Sequence, residues 1–86
     1  MKIVKISAIW CGACLIINKD WKRFKEKYQF EAVELDYDID EDEVQKYFPG
    51  DVLPVFIFFS SSKEVARLVG EVSFEDLEGK YLEVNN

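Results

Sequence analysis

The chain has 86 residues, which is below the usual size of a protein domain, so we expect one hydrophobic core and no separate regulatory module. Hydrophobic residues make up 49% and charged residues 33% of the sequence, a mixture that can bury a core and that excludes a disordered or collagen-like chain. Eleven basic residues against seventeen acidic ones give a net charge of -6, which argues against nucleic acid or an anionic membrane surface as the main partner.

The sequence contains no segment suited to a membrane or to export. Its longest apolar run, residues 52–59, includes Pro54 and is far shorter than the roughly 20 residues that span a bilayer. The first ten residues enter a strand pattern directly, without the apolar core or cleavage site of a signal peptide. We therefore expect a cytoplasmic protein.

The first half of the chain predicts a strand, a helix and a second strand. The β-branched residues near the N-terminus favour a strand at Lys2–Ser7. From Cys14 onward, apolar residues recur at steps of three and four, which is typical of one face of a helix about four turns long. They are Cys14, Ile17, Trp21, Phe24 and Tyr28. Residues 30–36 mix apolar residues with acids and predict a second strand, parallel to the first because a helix connects the two.

The second half predicts a short helix, a hairpin and a final helix. An acidic stretch followed by apolar residues gives a short helix that ends at Pro49. The unbroken apolar run of residues 52–59 predicts a central strand covered on both faces, and Lys63–Val69 predicts an antiparallel edge strand beside it. Ser73, followed three residues later by Asp76, is similar to a capping box at the start of the last helix.

The predicted elements follow one another in the order βαβαββα. A parallel first pair and an antiparallel last pair of strands indicate an α/β fold with a mixed sheet. No repeat, linker or low-complexity segment interrupts this order, so we interpret residues 1–86 as a single domain.

The two cysteines of the chain, Cys11 and Cys14, lie where the first strand leads into the first helix. An isolated pair three residues apart closes too small a loop to stabilise a fold, so these thiols point to chemistry. Two intervening residues on the first helical turn bring the sulfurs within disulfide range, and such a pair beside a βαβ pattern is typical of a redox site. Cys14 lies on the apolar stripe, whereas Cys11 precedes it at the helix end that favours a thiolate. We therefore predict that Cys11 is the nucleophile and Cys14 the resolving thiol.

This pair predicts thiol–disulfide exchange, in which the Cys11 thiolate attacks a substrate disulfide and Cys14 then releases the reduced substrate. A zinc site is an alternative, but a zinc ion is usually bound by four ligands, and the chain has only two cysteines and no histidine. A calcium loop beginning at Asp36 would need a glycine where Glu41 stands. We expect neither a metal nor a bound cofactor, and an inert structural cysteine pair is the remaining alternative.

Several sequence features resemble the thioredoxin family. The sequence WCGAC around the cysteines is similar to the family's WCGPC motif, with Ala13 where proline is usual. Leu53-Pro54 resembles the pair that carries the family's cis-proline, and Gly70 resembles the glycine after its last strand. The acidic residues 36–41 are similar to the end of its second core strand.

This resemblance implies a thioredoxin fold over nearly the whole chain. Its sheet would have four strands in the order two, one, three, four and would be flanked by three helices. The extra N-terminal strand and helix of full-length thioredoxins have no counterpart here, so the chain looks like a minimal, glutaredoxin-sized member.

The resemblance also implies a substrate-binding surface around Cys11. Its members would be Trp10, Gly12, Ala13, Leu53, Pro54 and Gly70. A cis bond would precede Pro54, and the backbone of Leu53 would pair with a bound substrate strand. A proline that simply begins a strand is the alternative for Pro54, and packing in the core is the alternative for Trp10.

One departure from the family lies beneath the predicted site. The family commonly places a buried aspartate six residues before the first cysteine and a lysine on the adjacent strand, whereas this chain has Lys5 and Glu34 there. A buried cation would stabilise the Cys14 thiolate and a buried carboxylate would oppose it, so we hypothesise that the charge-swapped pair tunes the resolving thiol. In the alternative arrangement, Lys5 points to solvent from the other face of its strand.

The resemblance implies a thioredoxin-type enzyme that reduces protein disulfides and is reduced in turn by a flavoprotein reductase. We expect it to act as a monomer, without nucleic acid or a membrane. A glutathione-coupled, glutaredoxin-like enzyme is the nearest alternative, although tryptophan before the first cysteine is typical of thioredoxins. A non-catalytic interaction module whose thiols sense redox state is the alternative from a different class.

Overall fold

The computed structural model of the protein describes residues 1–85, which form a four-stranded sheet and three helices. In chain order the elements are β1 (Lys2–Ser7), α1 (Gly12–Lys27), β2 (Glu31–Asp36), α2 (Glu41–Gln45), β3 (Val55–Ser60), β4 (Lys63–Val69) and α3 (Phe74–Val84). The strands lie in the order β2-β1-β3-β4. β1 is parallel to β2 and antiparallel to β3, and β4 is antiparallel to β3. The predicted fold class and strand order are confirmed.

The sheet separates two buried clusters, because successive side chains of a strand point to opposite faces. One cluster contains Ile3 of β1 together with the apolar stripes of α1 and α3. The other contains Val4 and Ile6, and it includes Val44 of α2 and both cysteines. The cysteines therefore belong to the buried cluster that β1 and β3 form on this face of the sheet.

Alternation also fixes the position of a charged residue in the middle of the sheet. Lys5 of β1 is two residues from Ile3, on the face covered by α1, and only 4% of its surface is exposed. Trp21 of α1 packs on the same face, and the Lys5 ammonium lies 5.9 Å from the centre of its ring. The alternative in which Lys5 points to solvent does not fit this burial.

The start of β3 differs from the sequence-based prediction. The prediction began this strand at residue 52, but β3 begins at Val55. Pro54 has no N–H to donate to a ladder, so the two apolar residues before it belong to the connection instead. The Leu53-Pro54 peptide bond is cis. β2 begins at Glu31, one residue later than predicted.

α2 ends at Gln45, whereas the prediction continued this helix to Pro49. Phe48 has a φ of +51°, which an α-helix does not allow, so the helix stops earlier. The start of α3 agrees with the local sequence. Ser73 Oγ accepts from the backbone N–H of Asp76 and the Asp76 carboxylate accepts from the N–H of Ser73, which confirms the predicted capping box of α3. In residues 1–85 every helix is too short or too polar for a bilayer crossing. The interpretation as one domain extends to Asn86, which lies outside the described residues.

Candidate active site

Cys11 is the N-cap of α1, so its sulfur lies at the positive end of a 16-residue helix. The Cys11 backbone is extended, with φ -91° and ψ 109°, and its N–H donates to the Ala8 carbonyl at 3.1 Å. Its Sγ accepts from the backbone N–H of Cys14 at 3.2 Å. Because no acidic residue lies in the first turn of α1, no carboxylate of this turn opposes a negative charge on the Cys11 sulfur.

Cys14 lies one turn further along α1 and is 2% exposed, against 8% for Cys11. The pKa of Cys14 is raised to about 11. Burial is the largest cause and the neighbouring Cys11 sulfur acts in the same direction, whereas the Ala8 backbone and the charge of Lys5 act to lower it. At neutral pH, Cys14 is therefore a protonated thiol held beside Cys11. Both cysteines are free thiols, in an arrangement with one sulfur at the helix end and one beneath it.

The connection before β3 forms the opposite side of the site. Leu53 is 7% exposed and belongs to the same buried cluster as both cysteines. The backbone N–H of Gly70 donates to the Pro54 carbonyl at 2.8 Å, which joins the end of β4 to this connection. Gly70 has a φ of +87°, and a Cβ there would lie 3.3 Å from Cγ1 of Val52, so backbone geometry and space both favour glycine.

Trp10 lies on the surface beside Cys11, and its predicted alternative in the core is wrong. The side chain is 62% exposed, and its Nε1 donates to the Asp38 carboxylate at 2.6 Å. The ring also meets Tyr37 edge-on, with 6.2 Å between ring centres. Tyr37 and Asp38 were not expected to help build the site, because only the fold brings the end of β2 next to the loop before α1.

Gly12 and Ala13, the two residues between the cysteines, leave space beside Cys11 unoccupied. Nothing lies within 4 Å of the position that a Cβ on Gly12 would occupy, and Gly12 is exposed. Ala13 is half-buried against the cluster that contains Cys14. Within the described residues, no group of three cysteine, aspartate or glutamate side chains is placed to hold a metal ion.

Lys5 and Glu34 lie in register on the parallel strands β1 and β2, but each side chain has another polar partner. The Lys5 ammonium donates to Asn18 Oδ1 at 2.6 Å, and the Glu34 carboxylate pairs with Lys25 at 2.9 Å. Burial lowers the pKa of Lys5, whereas the negative charge of Glu34, and that of Cys14 once it is deprotonated, favour its ammonium form. Burial raises the pKa of Glu34, but its hydrogen bond with Lys25 and the charges of both lysines outweigh burial and lower it.

Comparison with known proteins extends this picture. The sequence model of the family described as thioredoxin matches residues 1–83. Thioredoxin-2 of Saccharomyces cerevisiae is 38% identical over 69 residues, which cover 79% of this chain and 65% of that protein. The chain spans between 51% and 66% of the length of the first three curated relatives that it matches.

Solved structures agree with the fold. The reduced thioredoxin pre-protein of Schistosoma mansoni matches with a TM-score of 0.86 and 30% identity, over 95% of this chain and 76% of that one. A second match, in a structure described as the complex of ferredoxin:thioredoxin reductase with thioredoxin f2, has a TM-score of 0.86 and 26% identity. It covers 99% of this chain and 77% of the matched chain.

Proposed function

Because this chain belongs to the thioredoxin family, we propose that it is a thiol–disulfide oxidoreductase that reduces protein disulfides through Cys11 and Cys14. The observation that carries the proposal is the placement of the two sulfurs. Cys11 Sγ lies at the end of α1 and accepts a backbone hydrogen bond, while Cys14 lies buried one turn below with a pKa of about 11. A sulfur at a helix N-terminus that can act as the nucleophile and a protonated second thiol beside it are the two groups that the reaction needs.

The reaction proceeds in two exchanges. The Cys11 thiolate attacks one sulfur of the substrate disulfide, an intermolecular S–S bond forms, and the other substrate sulfur leaves as a thiolate that takes up a proton. Cys14 then loses its proton and attacks Cys11 Sγ, which forms the Cys11–Cys14 disulfide and releases the second substrate thiol. Two electrons pass from the dithiol to the substrate.

A substrate strand would lie on the surface that surrounds Cys11. Its proposed members are Trp10, Gly12, Ala13, Leu53, Pro54 and Gly70. The first three adjoin the cysteines in the sequence, the next two lie on the connection before β3, and Gly70, which follows β4, is hydrogen-bonded to that connection. Open space at Gly12 gives a partner access to Cys11 from the helix side. The backbone of Leu53 would pair with the substrate strand next to its disulfide.

The oxidised protein needs two electrons to begin another cycle. We propose that a flavoprotein reductase of the thioredoxin-reductase type supplies them, that protein disulfides are the substrates, and that the protein acts as a monomer in the cytoplasm rather than on nucleic acid or a membrane. Association of a thioredoxin with a reductase, as in the described complex of thioredoxin f2, is consistent with this scheme. The proposal treats residues 1–86 as one catalytic domain.

Lys5 and Glu34 act together on the resolving thiol in this proposal. The Lys5 ammonium lowers the pKa of Cys14, and Glu34 keeps Lys5 charged against the cost of burial. Lys25 pairs with Glu34, so the contribution of Lys5 and Glu34 at Cys14 is mainly that of the Lys5 ammonium, which favours the thiolate against the larger effect of burial.

Turnover of a protein disulfide tests the function. With dithiothreitol as terminal reductant, the wild-type protein is expected to accelerate insulin reduction, and Cys11→Ser to lower the rate to that of dithiothreitol alone, because no nucleophile remains. Cys14→Ser is expected to accumulate a mixed disulfide through Cys11, visible by mass spectrometry. A wild-type rate no higher than that of Cys11→Ser would contradict the proposal and favour a non-catalytic redox module.

A further inference from the structure

Phe48 is a large aromatic side chain held on the surface. It is 84% exposed, and its φ of +51° is in the left-handed region, which is uncommon for a bulky residue. The Arg67 guanidinium of β4 donates to the Phe48 carbonyl at 3.0 Å and to the Tyr47 carbonyl at 2.8 Å. Arg67 also pairs with Glu64, so this anchor is itself fixed. The exposed ring is therefore carried on an anchored backbone, which lowers the entropy cost of a contact with a partner.

The segment after Phe48 is joined to the mouth of the active site. The Tyr37 hydroxyl donates to the Gly50 carbonyl at 3.5 Å, and the other side of Tyr37 faces Trp10. Four exposed apolar residues lie on the segments linked in this way, and we call them the apolar rim. They are Trp10, Ile39, Phe48 and Val52, which are 62%, 78%, 84% and 55% exposed. Two of its residues adjoin the proposed substrate surface: Trp10 is a member of that surface, and Val52 precedes Leu53 and lies 3.3 Å from the position of a Cβ on Gly70.

The same part of the chain carries all of its excess charge. Residues 36–52 contain seven acids and one lysine, a net charge of -6, while the rest of the sequence has ten acids and ten bases. The lysine, Lys46, is paired with Glu43 at 2.9 Å. The apolar rim is thus set in a strongly negative surface, and the remainder of the molecule is neutral on average.

We propose that the apolar rim and its acids dock protein substrates whose disulfide is flanked by an apolar side chain and by lysine or arginine. This inference rests on the proposed function and names the substrate class of that site. The apolar side chain covers Phe48 and Val52, and the basic side chains meet the acids of residues 36–52. Substrates with acidic flanks are rejected, because like charges repel across a contact that excludes water.

Peptide substrates test the proposal directly. Three synthetic peptides would share one intramolecular disulfide, flanked by leucine and lysine, by leucine and glutamate, or by serine and lysine. We expect kcat/KM for the leucine–lysine peptide to exceed that for the leucine–glutamate peptide about tenfold at low salt, and the difference to shrink as ionic strength rises. Equal values for these two peptides would overturn the proposal.

Variants with matched controls locate the effect. Glu41→Gln with Asp42→Asn removes two charges from the acidic segment, whereas Glu26→Gln with Glu75→Gln removes two exposed charges elsewhere. The first pair is expected to reduce the preference for lysine about threefold and the second to leave it unchanged. If the control pair had the same effect, overall charge rather than this surface would determine specificity, and the proposal would fail.

The apolar part of the contact has its own control. Phe48→Ala is expected to lower kcat/KM for the leucine–lysine peptide about fivefold and to have a smaller effect on the serine–lysine peptide. Leu82→Ala, which truncates a half-exposed leucine on α3, is the matched control and should have no effect on either. An equal response of both peptides to Phe48→Ala would contradict the apolar contact.

Reduction of insulin separates this inference from the proposed function. A protein that does not reduce insulin faster than dithiothreitol alone lacks the proposed activity, and both proposals then fail. A protein that reduces it but handles the three peptides equally retains the proposed function and loses only the inferred specificity.

Discussion

Cys14 and Lys5 are two buried residues whose charges affect each other. Cys14 is almost fully buried, and burial is the largest cause of its pKa of about 11. Lys5 is the positive charge that opposes this shift, and it is itself buried with Asn18 as its hydrogen-bond acceptor. In the proposed mechanism, Lys5 lowers the free energy of the Cys14 thiolate at the step in which Cys14 attacks, while Cys14 stays protonated in the resting protein.

Lys5→Met tests this role. Removing the charge is expected to raise the pKa of Cys14 above its present value of about 11. The lower thiolate fraction, partly offset by a more nucleophilic sulfur, is expected to slow release of the mixed disulfide about threefold at neutral pH. The pKa is measured from the pH dependence of Cys14 alkylation in a Cys11→Ser background, which leaves a single thiol.

Lys22→Met is the control for this experiment, because Lys22 lies on the exposed face of the same helix. Methionine is of similar length to lysine and apolar, so Lys5→Met should keep or increase the free energy of unfolding in urea. A Lys5→Met protein that folds normally and has unchanged alkylation and release rates would show that Lys5 has no role in tuning Cys14.

Residue roles could be predicted from the sequence where helix phase decides them. The apolar stripe of α1 placed Cys14 in the core and left Cys11 at the helix end, and the structure has them there. The hydrogen bonds of Trp10 to Asp38 and of Lys5 to Asn18 could not be predicted in this way. Each joins segments that lie apart in the sequence. The partner of Lys5 depends on how α1 packs against β1, and the partner of Trp10 depends on how the loop before α1 packs against the turn after β2.

The N-terminal capping residues of the helices can be recognised in the sequence, and they determine where α3 begins. α3 begins at a reciprocal pair of hydrogen bonds between Ser73 and Asp76, and its apolar side packs Phe74 and Leu77 into the core beside α1. α1 has no comparable polar cap, because its N-cap is Cys11. The N-cap position of α1 thus holds a cysteine, and a thiol caps a helix more weakly than the hydroxyl of serine or threonine does.

Ser73→Ala tests the contribution of the α3 cap. Loss of the hydroxyl leaves the Asp76 N–H without its side-chain acceptor, and we expect a loss of about 1 kcal/mol in the free energy of unfolding. Ser73→Asn, which retains an acceptor oxygen, is the matched control and should keep most of the stability. Urea unfolding measures both, and equal midpoints for alanine and asparagine would contradict the assigned cap.

The start of β3 shows where element prediction reaches its limit. Residues 52–59 form one apolar run, yet β3 begins at Val55. Apolar composition signals burial, and Leu53 is indeed buried, but its burial is against the cysteines in the connection rather than within the sheet. Pro54 marks the boundary, because a residue without an N–H cannot continue a central ladder.

In the molecule as a whole, the proposed substrate-binding face is defined by the C-terminal end of β1, by the N-terminal end of β3 and by the uneven distribution of charge. The strand order follows from one parallel crossover and one hairpin, which is why the topology could be predicted from periodicity and turns. The periodicity of apolar residues does not predict which loops lie next to one another at the end of the sheet. The meeting of Trp10, Tyr37 and Gly50 beside the cysteines is therefore known only from the structure.

The central claim is that Cys11 and Cys14 form a reversible disulfide that carries two electrons to a protein substrate. The reduction potential of the pair, equilibrated against glutathione buffers and read by thiol trapping, tests this claim most directly. We predict an intramolecular disulfide with a potential near about -270 mV, as in thioredoxin-type reductants. A potential near about -200 mV would indicate glutathione coupling or oxidising work instead, and failure to form the disulfide at any buffer ratio would contradict the account.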